Sequence, residues 1–415
     1  MKELWLFTDT YPYGFDEAFL ENEIEVLCRH FEQVRVFPMF ARGSARVMPT
    51  NASATLLFPD AYAAASLGGL VKRAPEVLAL LASLPFDTPS WRALYSQLSY
   101  LRSRIAQVVH RTERIEELLM PSFDPRHVMA YSFWSKDWVS SLAMIHRRDP
   151  RFRYVSRMHG YDLYETRNER GWLPFRRYEM ASVDHVFCAS QAGLDHLLQR
   201  YPKDAERFEL ARLGTRDHGP GPWEPYEVLR ITSCSYAIPL KRIDLLMDAL
   251  ERVRTPVRWI HFGGGTEYER LRARAAALPS HIHAELPGAT ANADILKYYA
   301  THPVDLAVHL SSSEGGVAVA LQEAASFGIP LLATDAGGVR ELVNEHTGTL
   351  LPLEIDAATV AEALDNFRSG PAYTEVFRAG VRAHWSQHFN AEVTYGAFCK
   401  RLHQLHDKWM REALH

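Results

Sequence analysis

At 415 residues the chain is long enough for two domains of about 200 residues each. Its 47% hydrophobic and 11% aromatic content are those of a globular protein, and a formal charge of -4 leaves no global case for nucleic-acid binding. Cys28, Cys188, Cys234 and Cys399 lack CxxC spacing, which argues against a zinc site or a disulfide framework and fits a reducing cytosol. No run of about 18 apolar residues suggests a membrane span, and Met1 to Phe7 moves straight into a strand without the apolar core of a signal peptide.

Leu4 to Thr8 reads as the first strand, with Thr10-Tyr11-Pro12-Tyr13-Gly14 as the loop after it. Phe15 to Phe31 then places Phe19, Leu20, Ile24, Leu27 and Phe31 at helical spacing. A strand, glycine loop and helix at the start of a doubly wound domain put the loop at the carboxyl edge of the sheet, making Gly14 a candidate ligand contact. Glu17, Glu21, Asn22 and Glu23 read equally well as a polar helix face. Val34 to Phe40 is the second strand. Leu67 to Leu119 is mostly helical, broken at Pro75, Pro85 and Pro89, with Lys72, Arg73, Arg92, Arg102, Arg104, Arg111 and Arg114 among Leu, Trp91, Tyr95 and Tyr100. Such a basic amphipathic stretch can rest on anionic lipid, and it is equally an ordinary solvated helix face. His127 to Tyr131 is a strand, and another begins at Arg153 and ends in His159-Gly160. A histidine at a strand's carboxyl end, followed by glycine, is placed to meet a ligand. Val183 to Ala189 follows as a strand.

Glycine and proline concentrate in Gly214 to Pro225, which suggests an inter-domain linker dividing residues 1–222 from 223–389. Leu229 to Ser233 opens the second domain, followed by Lys241-Arg242 and a helix from Ile243 to Val253. Trp259 to Phe262 leads into Gly263-Gly264-Gly265, which a tight turn explains as well as a ligand does. Ile282 to Leu286 is a strand with Pro287-Gly288 after it. Val304 to Leu310 is short and apolar, as a buried parallel strand should be. Gly315-Gly316 turns the chain, and Val317 to Phe327 has helical character, stopped by Gly328 and Pro330. Leu331 to Thr334 is the next strand. A glycine turn opening a helix offers free backbone N–H groups and a positive dipole end, a natural phosphate seat at Gly315, Gly316 and Val317. Glu314 sits in that turn and Glu323 down the helix, so one nucleotide-sugar could lie along the helix start with a carboxylate for the hydroxyls at each end. Ala357 to Phe367, Tyr373 to His388 and Asn390 to Leu414 complete the chain as helices.

The order Glu314, Glu323-Ala324, Gly328-Ile329-Pro330 and Gly337-Gly338-Val339-Arg340-Glu341 resembles the donor-site signature of retaining glycosyltransferases of family 4. Eight residues intervene between the two glutamates, one more than that pattern has. The opening TYPYGFDEAFLENEI looks like that of bacterial polysaccharide transferases of the same family. The resemblance implies an α/β GT-B fold: two Rossmann-like doubly wound domains facing a cleft, with the helix 390–415 packing back on the first. It implies nucleotide-sugar on the second domain, a UDP-sugar by expectation, and a glycan or lipid-linked glycan acceptor on the first. His159 would face the donor sugar, Lys241 and Arg242 the diphosphate, and Gly264 and Gly288 the nucleotide, the last through backbone groups at the base. Glu323 would take the ribose and Glu314 the transferred sugar. The family's Gly-Arg-x-x-x-x-Lys-Gly has become Ser235-Tyr236 and Lys241-Arg242, so Arg242 would replace the arginine absent at Tyr236. No Asp-x-Asp occurs, as expected of a transferase that uses no metal. The expected setting is the cytoplasm, at the inner face of the plasma membrane. A sugar-nucleotide epimerase on the same fold and a non-catalytic nucleotide-sugar-binding protein remain open. A dinucleotide oxidoreductase does not fit, because Tyr268 breaks G-x-G-x-x-G after Gly263.

Overall fold

The computed structural model of the chain describes residues 1–14, 17–60, 62–168 and 170–412. Residues 1–189, 193–211 and 397–415 form one compact unit, and 190–192 with 212–396 form a second.

The first unit holds a seven-stranded, all-parallel sheet. Its strands are β1 (Glu3–Thr8), β2 (Gln33–Pro38), β3 (Ala52–Ala54), β4 (Val128–Ser132), β5 (Tyr154–Met158), β6 (His185–Cys188) and β7 (Phe208–Leu210), in the order β3-β2-β1-β4-β5-β6-β7. Strand order reverses between β1 and β4, and such a switch point opens a crevice at the carboxyl ends of the strands. The first helix runs over Leu20–His30, and the expected start of that element at Phe15 lies outside the described residues. Glu23 is not on a polar helix face: it is fully buried, 2.7 Å from the guanidinium of the equally buried Arg157. Pro75 and Pro85 do not break the helix Ala74–Asp87; one lies in its first turn, where no N–H is needed, and the other near its end.

The second unit has a six-stranded parallel sheet of β8 (Leu229–Cys234), β9 (Val257–Phe262), β10 (Ile282–Gly288), β11 (Leu306–His309), β12 (Leu331–Thr334) and β13 (Gly348–Leu351). Its order is β10-β9-β8-β11-β12-β13, with the switch between β8 and β11. Both faces are buried: Val257, Trp259, Leu306 and Val308 feed one cluster, while Ile260, Phe262, Ala307 and Leu331 feed the other.

The division falls at 211/212 and 396/397, rather than at 222/223 and 389/390. Residues 212–225 are no slack linker, because they are bonded along the second unit. Trp385 Nε1 donates to Thr215 Oγ1 at 2.8 Å, Gly221 N to Phe327 O at 3.0 Å, and Trp223 Nε1 to Asp305 at 2.7 Å. The last helix, Ala391–Glu412, begins in the second unit and ends in the first, where Phe398 packs on Tyr131 and Phe187 with ring centroids 5.2 and 4.9 Å apart. The expected extension through Leu414 lies outside the described residues.

Candidate active site

The second unit assembles its polar centre at the switch between β8 and β11. Two loops meet there, one after each strand. Ser312 N donates to Leu240 O at 2.9 Å, and Thr334 Oγ1 ties Ser311 O from β12 at 2.6 Å. On this frame Lys241 Nζ is ion-paired with Glu314 Oε1, and His309 Nε2 lies 2.7 Å from the same oxygen. A carboxylate only accepts, so His309 donates there from its Nε2–H. Burial pushes the Glu314 carboxyl up, but the hydrogen bond and charge of His309, followed by those of Lys241, outweigh it and hold the group at about 2. Glu314 is therefore ionised at any working pH.

Arg242 is placed differently from the expectation. Its guanidinium donates to Leu310 O at 2.6 Å, Leu353 O at 3.0 Å and Ser311 O at 3.2 Å. Those carbonyls come from two loops, one after β11 and one after β13, so Arg242 braces the frame instead of presenting a second cation beside Lys241. Its backbone turns left-handed (φ 48°) to open the helix Ile243–Leu250.

The helix after the glycine turn starts at Val319, not at Val317, and runs to Ser326. Ala318 is the cap whose carbonyl accepts from Leu321 N at 3.0 Å, while Gln322 Nε2 takes Val317 O at 3.1 Å. The free N–H groups at this end therefore belong to residues just beyond Val317, and Gly315-Gly316 form the approach. Gly316 itself is backed by Gly338, where a Cβ would stand 2.8 Å from the Gly316 carbonyl carbon. Glu323 is buried in the helix, and Asn292 Nδ2 donates to its Oε1 at 2.8 Å. Burial raises the Glu323 carboxyl to about 7, only partly countered by Asn292. The nearby Cys234 thiol goes up to about 12, through burial first and the Glu323 charge second.

The remaining glycines have steric reasons. A Cβ on Gly263 would lie 1.8 Å from Ser235 O, and one on Gly265 2.4 Å from Ala237 O. Gly264 is crowded less severely, its Cβ position 3.3 Å from Ala289, and its carbonyl accepts from Ala237 N at 2.9 Å. Gly288 lies inside β10 with φ +84°, packed on the Tyr268 ring, and its carbonyl takes Gly263 N at 2.9 Å. In the first unit, Gly14 (φ +67°) bonds Ser44 O at 3.1 Å, where a Cβ would strike Arg42 O at 2.5 Å. His159 follows β5, is 8% exposed, and lies against Phe133 and Trp134 at centroid distances of 4.7 and 4.4 Å. Its backbone N donates to Asp162 Oδ1 at 2.8 Å.

The structure thus brings Lys241 and Glu314 into contact, sets Glu323 deeper in the same unit, and places Gly14 and His159 in the other. Sequence reasoning missed His309 and Asn292. The only signal for His309 was a polar residue near the carboxyl end of an otherwise apolar strand, five positions before Glu314.

Residues 229–383, which carry this centre, match the family model described as Glycosyl transferases group 1. Over the whole chain, the fold is that of Anabaena Alr3699/HepE, solved in complex with UDP: TM-score 0.66, 17% identity, 97% of this chain and 100% of that one. With two parallel-sheet Rossmann-like units, this is the GT-B fold of glycosyltransferases. Among curated relatives, the GDP-mannose-dependent alpha-mannosyltransferase of Mycobacterium tuberculosis is 37% identical over 98 residues, 23% of this chain and 24% of that protein. The phosphatidylinositol N-acetylglucosaminyltransferase gpi3 subunit of Schizosaccharomyces pombe is 25% identical over 234 residues, 54% of this chain and 51% of its own length. The chain therefore spans about a quarter and about half of these two relatives.

Proposed function

We propose that the chain is a retaining glycosyltransferase of family 4 that moves a hexosyl group from a nucleotide-sugar to a glycan or lipid-linked glycan in bacterial polysaccharide biosynthesis. The observation that carries this reading is the Lys241–Glu314–His309 contact at the β8/β11 switch, inside the segment that matches the glycosyl transferases group 1 model. The costly part of such a transfer is the charge that builds on the departing diphosphate. Lys241 and the backbone N–H groups at the start of the helix Val319–Ser326 are preorganised donors for it, the kind of electrostatic stabilisation worth several kcal/mol. Glu314, always ionised, accepts from hydroxyls of the transferred sugar, and Glu323 from those of the ribose. Retention follows from same-face attack assisted by the leaving phosphate.

UDP is the preferred nucleotide in this reading, supported by HepE in complex with UDP, while the mannosyltransferase relative is named for GDP-mannose. A thermal-shift screen against UDP-, GDP- and ADP-sugars decides between them. Saturation at a hundred times the dissociation constant adds about 2.7 kcal/mol, an easily read shift. A response to none of the three would overturn the transferase reading, and turnover of the nucleotide-sugar without any acceptor would favour an epimerase.

A lipid-linked acceptor also calls for contact with the membrane. Among the described residues no helix is long and apolar enough to cross a membrane. Several arginines cited for surface attraction are committed inward: Arg73 pairs with Glu116, and Arg104 and Arg111 approach Asp137. The support lies instead in exposed apolar side chains of the helices between 67 and 98: Leu67, Val71, Leu78, Phe86, Trp91 and Tyr95 are 62–81% exposed. That surface suits peripheral insertion at a lipid interface.

A further inference from the structure

Glu323 lies in a setting that favours a neutral carboxyl, and one side chain opposes it. Two helices start at the carboxyl end of the second unit's sheet and share a face: Asn292–Thr301 after β10 and Val319–Ser326 after β11. Ile295 and Tyr299 of the first pack in the same apolar cluster as Leu321 and Ala324 of the second. At helical spacing Asn292 falls on the face of Ile295 and Tyr299, which directs it toward that second helix. Its Nδ2 donates to Glu323 Oε1 at 2.8 Å.

Two observations give that bond a purpose beyond packing. The first is where the amide is spent. An asparagine at a helix start ordinarily bonds the free N–H groups of its own helix. Here the cap is Ala291, which offers no side-chain acceptor, and Asn292, one position inside, gives its amide to Glu323 instead. The helix forgoes a side-chain cap, and the carboxylate gains a donor. The second is what surrounds that carboxylate. Burial raises Glu323 to about 7, and among the described residues the counterweight is the Asn292 hydrogen bond. The titratable groups facing it, Cys234 at the end of β8 and Tyr299 on the neighbouring helix, are themselves pushed up by burial and stay neutral. Lys241 acts on Cys234 but is ion-paired with Glu314. Glu314 thus has a cation and an imidazole to keep it ionised, whereas Glu323 relies on a neutral amide.

We propose that Asn292 is a positioning residue of the nucleotide site: its Nδ2–H fixes Glu323 Oε1 and leaves Oε2 to accept from a ribose hydroxyl. This role rests on the reading of Glu323 as the ribose carboxylate. An amide donor favours the ionised form, so Asn292→Ala should let Glu323 keep its proton to higher pH. Asn292→Asp should do so further, because a second carboxylate repels the first. Alanine is a good helix former and aspartate suits the first turn, so neither variant weakens the helix itself. The test is calorimetry of UDP and GDP with the full chain in steps from about pH 6 to 9. Asn292→Ala should bind the nucleotide about tenfold more weakly than wild type near pH 7, yet within about threefold of it near pH 9. In Asn292→Asp the recovery should come at still higher pH. In the Glu323→Gln background, adding Asn292→Ala should change affinity by less than about threefold, because the group it acts through no longer titrates. Equal weakening at every pH would make Asn292 a packing residue and overturn the role. So would a tenfold loss that persists in the Glu323→Gln background. A wild type that binds neither nucleotide would defeat the transferase reading and this role with it; nucleotide binding with an unshifted pH profile in both variants would remove this role alone.

Discussion

Lys241 and Glu323 make opposite demands on an experiment. Lys241 is the cation on the frame, so Lys241→Ala should lower turnover about a hundredfold, as losing one transition-state donor does. His309 still holds Glu314 in that variant, so the fold should survive. A chelator should leave the wild-type rate unchanged; a rate that collapses and returns with a divalent ion would refute the metal-free reading. Glu323 carries a pH signature. Its folded carboxyl titrates near 7 and its unfolded one near the ordinary 4.5. Between those values the native state holds the extra proton, so stability falls as pH rises from about 4.5 to 7 and is flat above. Ribose hydroxyls prefer the ionised form, so nucleotide affinity should rise across pH 6 to 8. Glu323→Gln should flatten that profile in calorimetry and weaken binding by roughly ten- to hundredfold. Glu314→Ala should spare the free nucleotide and damage turnover of the sugar-bearing donor. A pH slope that survives in Glu323→Gln means another group titrates. These roles were unevenly legible. The glutamates announced themselves by spacing around a glycine turn, whereas His309 hid inside a strand that reads as apolar. Arg242 looked like a phosphate ligand because the carbonyls it holds lie about 70 and 110 positions away.

At the scale of elements, the strands and the turn–helix–strand from Ser311 to Thr334 could be read from periodicity and glycine placement, since a parallel sheet buried on both faces needs uninterrupted apolar runs. The glycine triplet was ambiguous, and the structure separates its members. Gly263→Ala forces a Cβ into Ser235 O at a positive φ of 147° and should cost more than about 4 kcal/mol in denaturant unfolding, enough to mark backbone strain. Gly264→Ala asks Ala289 to yield a few tenths of an ångström and should cost about 1 kcal/mol or less. Equal losses would mean the turn is not held against residues 235–237. The helices between 67 and 98 call for a different test. Charge alone could not sort the arginines of residues 67–119, because a helical pattern does not tell which of them point inward. Trp91→Glu with Tyr95→Glu should abolish flotation with anionic liposomes, and wild-type flotation should resist salt, because apolar insertion is not screened. Flotation lost in salt but kept in the double variant would return the role to the basic residues.

For the whole molecule, the buried pair of Glu23 and Arg157 joins the first helix to β5, and Arg157 also lies 4.3 Å from the Phe398 ring centroid of the last helix. Arg157→Met strands a buried carboxylate and should cost about 3–5 kcal/mol, whereas Glu23→Leu with Arg157→Met should recover most of it. A double variant as unstable as the single one would show that ring contacts, not charge, dominate. The two-unit plan was legible from length and from the glycine- and proline-rich stretch, but its edges were not. That stretch looked slack in composition, and only the bonds of Thr215, Gly221 and Trp223 reveal it as part of the second unit.

The last helix has a consequence for how the protein is made. Residues 397–415 belong to the unit that also contains residue 1, and they leave the ribosome after all of residues 212–396. Until then the pocket formed by Tyr131, Arg157 and Phe187 has no Phe398 to close it, although the second unit has all its strands. The unit begun first is therefore completed only after the strands of the second unit have been made. Truncation before residue 397 would damage residues 1–189 more than residues 212–396, and a newborn protein would depend on chaperones for the full time residues 212–396 take to be translated.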